Sequence, residues 1–202
     1  VDVRSTDPIP EIPDSAIHYF ENGTTTVSAD NWTGWSGDTS NLSVQNETVL
    51  EGDYSGKLTS TSTVSAVRGS SYTPSEVSVY MQADNVGSER KDGMEFFLYN
   101  SGTLIHLLRF DYTGTVRSYS TSVGSATWSV DTTYKVKYYN LDFTNNTFDL
   151  DVSRVSDGTI ILSSTSTSFA NSVSGLNEIQ VLNTESSSNT GVNVFFDNVD
   201  AQ

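Results

Sequence analysis

Apolar residues in this chain recur at every second position, and no window of eleven residues or more carries the 3.6-residue period of a helix. Glu76 to Gln82 reads Glu-Val-Ser-Val-Tyr-Met-Gln, which puts Val77, Val79 and Met81 on one face of an extended segment. Met94, Phe96 and Leu98 repeat the pattern, and Thr103 to Asp111 is apolar on both faces for much of its length, as a central strand is. Tyr134 to Leu141 and Thr147 to Val152 flank Asp142-Phe143-Thr144-Asn145-Asn146, a hairpin with a polar turn. Glu178 to Leu182 and Val192 to Val199 supply closing strands. Many short strands with polar turns, no helices and no strong internal repeat predict an all-β, antiparallel β-sandwich of jelly-roll type. The Ser/Thr-rich runs Thr59 to Ser65 and Ser163 to Ser168 read equally well as edge strands or loops.

At 202 residues the chain suits one domain that buries roughly 70% of its unfolded surface. Residues 1–15, with Pro8, Pro10 and Pro13 among several acids, read as an extended arm or linker, and residues 16–202 as the domain. The absence of cysteine removes disulfides, thiolate metal sites and cysteine nucleophiles. A net charge of −15 makes nucleic acid a poor partner. The sparse lysines and plentiful Asp, Ser and Thr fit a protein working in high salt, where screening removes self-repulsion, or an ordinary acidic secreted protein. No stretch approaches the roughly 20 apolar residues of a membrane helix, so membrane insertion is not expected. A first residue of Val1 suggests a chain processed from a longer product. Five Asn-X-Ser/Thr sequons, at Asn22, Asn31, Asn41, Asn46 and Asn145, are compatible with an extracellular, cell-surface or virion-surface location.

Two short motifs lie at opposite ends. His18-Tyr19-Phe20-Glu21-Asn22-Gly23 is followed by Glu51-Gly52-Asp53-Tyr54-Ser55-Gly56, and the last strand reads Val194-Phe195-Phe196-Asp197-Asn198-Val199. A first-strand Glu, a Gly-aromatic-Ser turn and a final-strand Asp resemble calcium-stabilised carbohydrate-binding jelly rolls. The middle hairpin resembles concanavalin A-like domains of the laminin G type. The resemblance covers roughly residues 18 to 58 and 192 to 200. It implies a structural Ca2+ held by Glu21, Glu51, Asp53 and Asp197, clamping the first and last strands together; calcium accepts about 6–8 oxygen ligands in forgiving geometry. The alternative is that Glu21 and Asp197 are solvated edge carboxylates.

The same resemblance implies noncatalytic recognition of a surface glycan through aromatic rings and a few convergent polar groups. Strand parity sets Glu95 with Tyr99 and Arg109 with Asp111, with Tyr80 from a neighbouring strand and Trp128 close by. Trp32 and Trp35 could project a second platform, although Trp35 matches a residue that packs structurally in related modules. Arg109 and Asp111 could equally be a same-strand ion pair. An enzyme is not expected: the Glu-x-Asp-x-x-Glu strand of laminarinase-like jelly rolls and the Gln before the His of alginate-lyase jelly rolls are both missing. His106 shares a face with Leu104, Leu108 and Phe110 and reads as a core histidine. A second reading is a structural, decorating or receptor-binding subunit of a surface assembly or virion, docked to its assembly partner through the N-terminal arm.

Overall fold

The computed structural model describes residues 16–18, 20, 32, 34–50, 52–87, 93–118, 121–184 and 191–202. The N-terminal arm, Glu21 and Glu51 lie outside them. In chain order the strands are β1 (Ala16–His18), β2 (Ser36–Gly37), β3 (Leu42–Gln45), β4 (Ser55–Thr59), β5 (Ser62–Tyr72), β6 (Glu76–Ala83), β7 (Gly93–Asn100) and β8 (Thr103–Asp111). They continue with β9 (Thr115–Ser118), β10 (Ser125–Thr127), β11 (Tyr134–Asp142), β12 (Thr147–Arg154), β13 (Ile160–Ser168), β14 (Leu176–Asn183) and β15 (Asn193–Ala201). Among the described residues one 3-10 turn, Thr39–Asn41, is found, and it precedes β3.

The strands form two antiparallel sheets. One runs β13-β12-β11-β6-β15-β4-β3, with β1 also on β15, and the other runs β10-β9-β8-β7-β14-β5-β2. The alternation read from sequence is what welds them. Val77, Val79 and Met81 from β6 and Met94, Phe96 and Leu98 from β7 all point inward and are fully buried. Tyr134, Val136 and Tyr138 from β11, and Phe148, Leu150 and Val152 from β12, extend the same core. At about 25 cal/mol per Å² of apolar surface removed from water, this interior is the main source of stability. At one end Phe196 meets Phe20 and Trp35 edge-on, at 5.3 and 5.0 Å between ring centroids. Gly56 permits this, since a Cβ there would sit 2.5 Å from the Phe20 ring.

One expectation changes, and two readings left open resolve as strands. Trp32 and Trp35 are 3% and 6% exposed and belong to the core, so they present no second platform. The run around Thr59 to Ser65 joins β5, which is hydrogen-bonded to β14 and to the short β2 rather than hanging as a loop. Ser163 to Ser168 is part of β13, the edge of the eight-stranded sheet. Two irregularities matter for side-chain direction. A register shift places Ile105 as an extra residue of β8, so Ile105 is buried and Leu104 only half-buried. A second, at Asn198 with φ of +45°, lets Asp197 and Val199 take their places on opposite faces of β15.

His106 is buried as expected, with Nδ1 2.9 Å from the Tyr138 hydroxyl and its ring edge-on to Phe148. Burial lowers its pKa from the usual 6.5 to about 3, so it is neutral across the physiological range.

Candidate functional site

Because Met94, Phe96 and Leu98 face the core, Glu95, Phe97 and Tyr99 must face out from β7. The ladder then fixes their neighbours on the outer face of the seven-stranded sheet. Across one row, Arg117 of β9 pairs with Arg109 of β8, Arg109 with Glu95 of β7, and Glu95 with Leu182 of β14. One step along, Leu107, Phe97 and Gln180 stand opposite one another, and beyond them Tyr99 faces Glu178.

Four of the six expected binding residues, Glu95, Tyr99, Arg109 and Asp111, therefore come together. Phe97 and Tyr99 stack with centroids 5.6 Å apart and planes 13° from parallel, and both are half-buried. Phe97 was legible but unread: it shares the parity of Glu95 and Tyr99. Gln180 and Glu178, joined by a 2.7 Å hydrogen bond from Nε2 to Oε1, were also missed. Only the pairing of β14 with β7, which sequence does not reveal, brings them here.

The polar groups are layered. Glu95 is 2% exposed and accepts both Nε–H and Nη2–H of Arg109 on one oxygen. Burial pushes the Glu95 carboxyl above its usual range, with the Arg109 guanidinium pulling the other way. Asp111 is completely buried; its carboxylate accepts the Thr113 hydroxyl at 2.5 Å, the N–H groups of Thr113 and Thr115, and Arg117 Nη2 at 2.6 Å. Burial alone would raise it, but these donors outweigh burial and hold Asp111 below the usual carboxylate value. Arg109 thus pairs across to β7, and Asp111 pairs across to β9; they do not pair with each other along β8. Tyr99 is raised by burial and by the Glu178 and Glu95 carboxylates, which keeps its phenol protonated.

Two expected residues lie elsewhere. Tyr80 is on the outer face of the opposite sheet, because β6 pairs with β11 and β15 rather than with β7, and the Lys135 ammonium stands 5.4 Å from its ring centre. Trp128 is 3% exposed in the core, edge-on to Phe110, with its indole N–H donating to the Asp111 carbonyl at 2.9 Å. It braces the site from beneath and presents no ring to solvent.

Of the expected metal ligands, Asp197 is 1% exposed and Asp53 sits on an exposed turn just before β4. The Ser55 hydroxyl donates to the Asp197 carboxylate at 3.1 Å and itself accepts the Leu50 N–H at 2.9 Å, which joins that turn to the last strand. The Asn198 N–H donates to the other Asp197 oxygen at 2.8 Å. Among the described residues no group of three His, Cys, Asp or Glu side chains is set to hold a metal ion.

This architecture is the concanavalin A-like jelly roll. It is shared with the metal-free form of lectin I-B4 from Griffonia simplicifolia (TM-score 0.55, 13% identity, 86% of this chain and 93% of that one). It is shared as well with an endo-beta-1,4-glucuronan lyase from Trichoderma reesei (0.55, 12%, 79% and 85%) and with the Ca2+-bound exoplasmic/lumenal domain of VIP36 (0.53, 9%, 94% and 96%). At these identities the likeness is one of fold. No protein-family model and no curated protein matches the sequence. Among the described residues no helix is long and apolar enough to cross a membrane.

Proposed function

We propose that the outer face of the seven-stranded sheet is a noncatalytic glycan-binding surface of an extracellular or surface-displayed protein. The observation that carries this reading is the convergence on one face of a stacked aromatic pair, Phe97 and Tyr99, with Arg109, Gln180 and Glu178 around it. Half-buried rings offer apolar surface to a pyranose, and the fixed donors and acceptors beside them can meet its hydroxyls. Fold neighbours that include galactose-complexed and other lectins are consistent with this use.

Binding suits the chemistry better than catalysis. Glu95 and Asp111 have pKa values pushed apart, which is a feature of acid–base pairs. Both carboxylates, however, are buried beneath arginines and engaged with them, which leaves neither exposed as a general acid or base. A Tyr99 phenol raised above its usual pKa is a poor base for elimination. The test is a glycan array run with the protein and with the Phe97→Ala and Tyr99→Ala variants. The reading expects selective binding that weakens about tenfold in each variant, in line with aromatic contact energies near 1–1.5 kcal/mol. Binding that both variants retain at full strength, or release of cleaved product from a bound glycan, contradicts it.

Calcium belongs to this proposal as a structural ion. Asp197, a buried carboxylate tied to the turn that precedes β4, suits a hard cation, with Glu21, Glu51 and Asp53 as its partners. The Asp197→Ala variant should then lose the rise in melting temperature that calcium gives the natural chain. An equal response to chelator in both proteins sinks the metal assignment.

A further inference from the structure

The stacked rings of β7 have an acid beside them. In the ladder between β14 and β7, Glu178 is the register partner of Tyr99, and Gln180 that of Phe97. Directly opposed side chains of a sheet have Cβ atoms about 4.5–5.5 Å apart. The rings stack along β7 and the two polar groups are bonded along β14, so the four half-buried side chains make one compact patch. Within it Gln180 Nε2 donates to Glu178 Oε1 at 2.7 Å. A carboxylate only accepts, so this bond fixes the carboxamide and turns the Gln180 oxygen away as a further acceptor. Among the described residues no hydrogen bond reaches that oxygen or the second oxygen of Glu178. The patch therefore presents acceptors beside two ring faces.

Its charge is not balanced from within. Arg109 and Arg117 on the same face are met by Glu95 and Asp111. Arg68 follows Val67, the β5 partner of Glu178, but is stacked on the Tyr72 ring at 4.1 Å. Lys57, Lys135 and Lys137 all belong to the eight-stranded sheet. Among the described residues Glu178 thus has no cation within ion-pair distance. The closeness of Glu178 to the rings also shows in the Tyr99 phenol, which is raised by burial and then by the Glu178 and Glu95 carboxylates. Ring faces attract a cation through their quadrupole, and an ammonium brings three N–H donors to neighbouring acceptors. We propose that this face selects amino sugars, with Glu178 and Gln180 receiving the ammonium group and the Phe97–Tyr99 pair contacting the pyranose that bears it. The proposal rests on the glycan-binding reading of the same face and adds the class of ligand. The overall charge of −15 favours the approach of such a cation.

The test is calorimetric titration of the full chain with the β-1,4-linked trimer of glucosamine and with its N-acetylated form. It is run at mildly acidic pH, where the amines are protonated, and at physiological salt, which damps attraction to distant charges. The free-amine trimer should bind about tenfold tighter than the acetylated one. Glu178→Gln keeps the shape of the side chain and removes its charge. It should erase that preference while leaving the melting temperature and the affinity for the acetylated trimer unchanged. Glu47→Gln removes the same charge from an exposed turn after β3 and should keep the preference intact. Trilysine, cationic without a pyranose, should bind about tenfold weaker than the glucosamine trimer. Equal affinity for the two trimers overturns the amine subsite and leaves the glycan-binding face standing. A preference that survives in Glu178→Gln, or falls as far in Glu47→Gln, overturns it as well. Trilysine binding as tightly as the sugar overturns the assignment to an amino sugar. Absence of binding to both trimers overturns the inference too, and the glycan array decides the glycan-binding reading separately.

Discussion

The two outer faces of the sandwich are built from similar residues and arranged to opposite effect. On the eight-stranded sheet each described lysine lies over an aromatic ring: Lys57 over Phe195, Lys135 over Tyr80 and Lys137 over Tyr139, at 5.7, 5.4 and 5.6 Å. Cation–π pairs of this kind give the rings a partner within the protein and leave the face satisfied by itself. On the seven-stranded sheet Arg68 also lies over a ring, that of Tyr72 at 4.1 Å, but the rings of Phe97 and Tyr99 stack on each other, and Arg109 and Arg117 are set over buried carboxylates. There the buried carboxylates lie at the floor of the face, and the arginines and the aromatic pair stay at its surface. The difference teaches that an aromatic on a sheet is a candidate contact only when nothing in the fold already covers it.

The largest expected effect comes from breaking the floor. Arg109→Ala leaves Glu95 buried and unpaired, a change that costs about 3–5 kcal/mol when the partner of a buried ion pair is removed. Glu95 can escape by taking up a proton, and its carboxyl is already raised. The deficit should therefore shrink as the pH falls from 7 to 5, as read by urea unfolding at both values.

A second effect comes from the interior that both faces share. His106 has a folded pKa of about 3 against an unfolded value of 6.5. A depressed pKa means that its contribution is present above pH 6.5 and is lost as the pH falls towards 3. Between pH 6.5 and 4 the loss is about 3 kcal/mol, at about 1.36 kcal/mol per unit. Replacing His106 with Leu should flatten the unfolding free energy over that window; an unchanged slope would contradict the assignment.

The smallest effect is expected on the opposite face. The Lys137–Glu76 bridge, 2.8 Å long but 37% and 29% exposed, should contribute no more than about 0.5 kcal/mol, so Lys137→Ala should be close to neutral. A loss as large as that of Arg109→Ala would erase the contrast between the faces.

Much of this was legible from alternation alone. The period of two located β6, β7, β8, β11, β12, β14 and β15 to within a few residues and put Glu95 and Tyr99 on a common side of their strand. Parity does not say which strands are neighbours, and that is why Tyr80 was grouped with residues of the other sheet: β6 and β7 are consecutive in sequence but lie in different layers. Trp128 was misread for a related reason. It follows the short edge strand β10, where the chain turns inward and the indole N–H finds the Asp111 carbonyl. Parity also fails wherever a residue is inserted, as at Ile105 and Asn198, since one extra residue reverses every side chain beyond it. The motif expected to bind metal was legible only as fragments; the Ser55–Asp197 hydrogen bond joins two of them across the fold.

The measurement that tests the central claim most directly is amide hydrogen exchange of the natural chain with and without a saturating glycan identified on the array. Protection is expected on β7, β8 and β14, around Glu95 to Tyr99, Leu107 to Arg109 and Glu178 to Leu182, with β6 and β11 unchanged. Protection centred on Tyr80, Lys135 and Lys137 instead would assign the ligand to the opposite sheet and contradict the account.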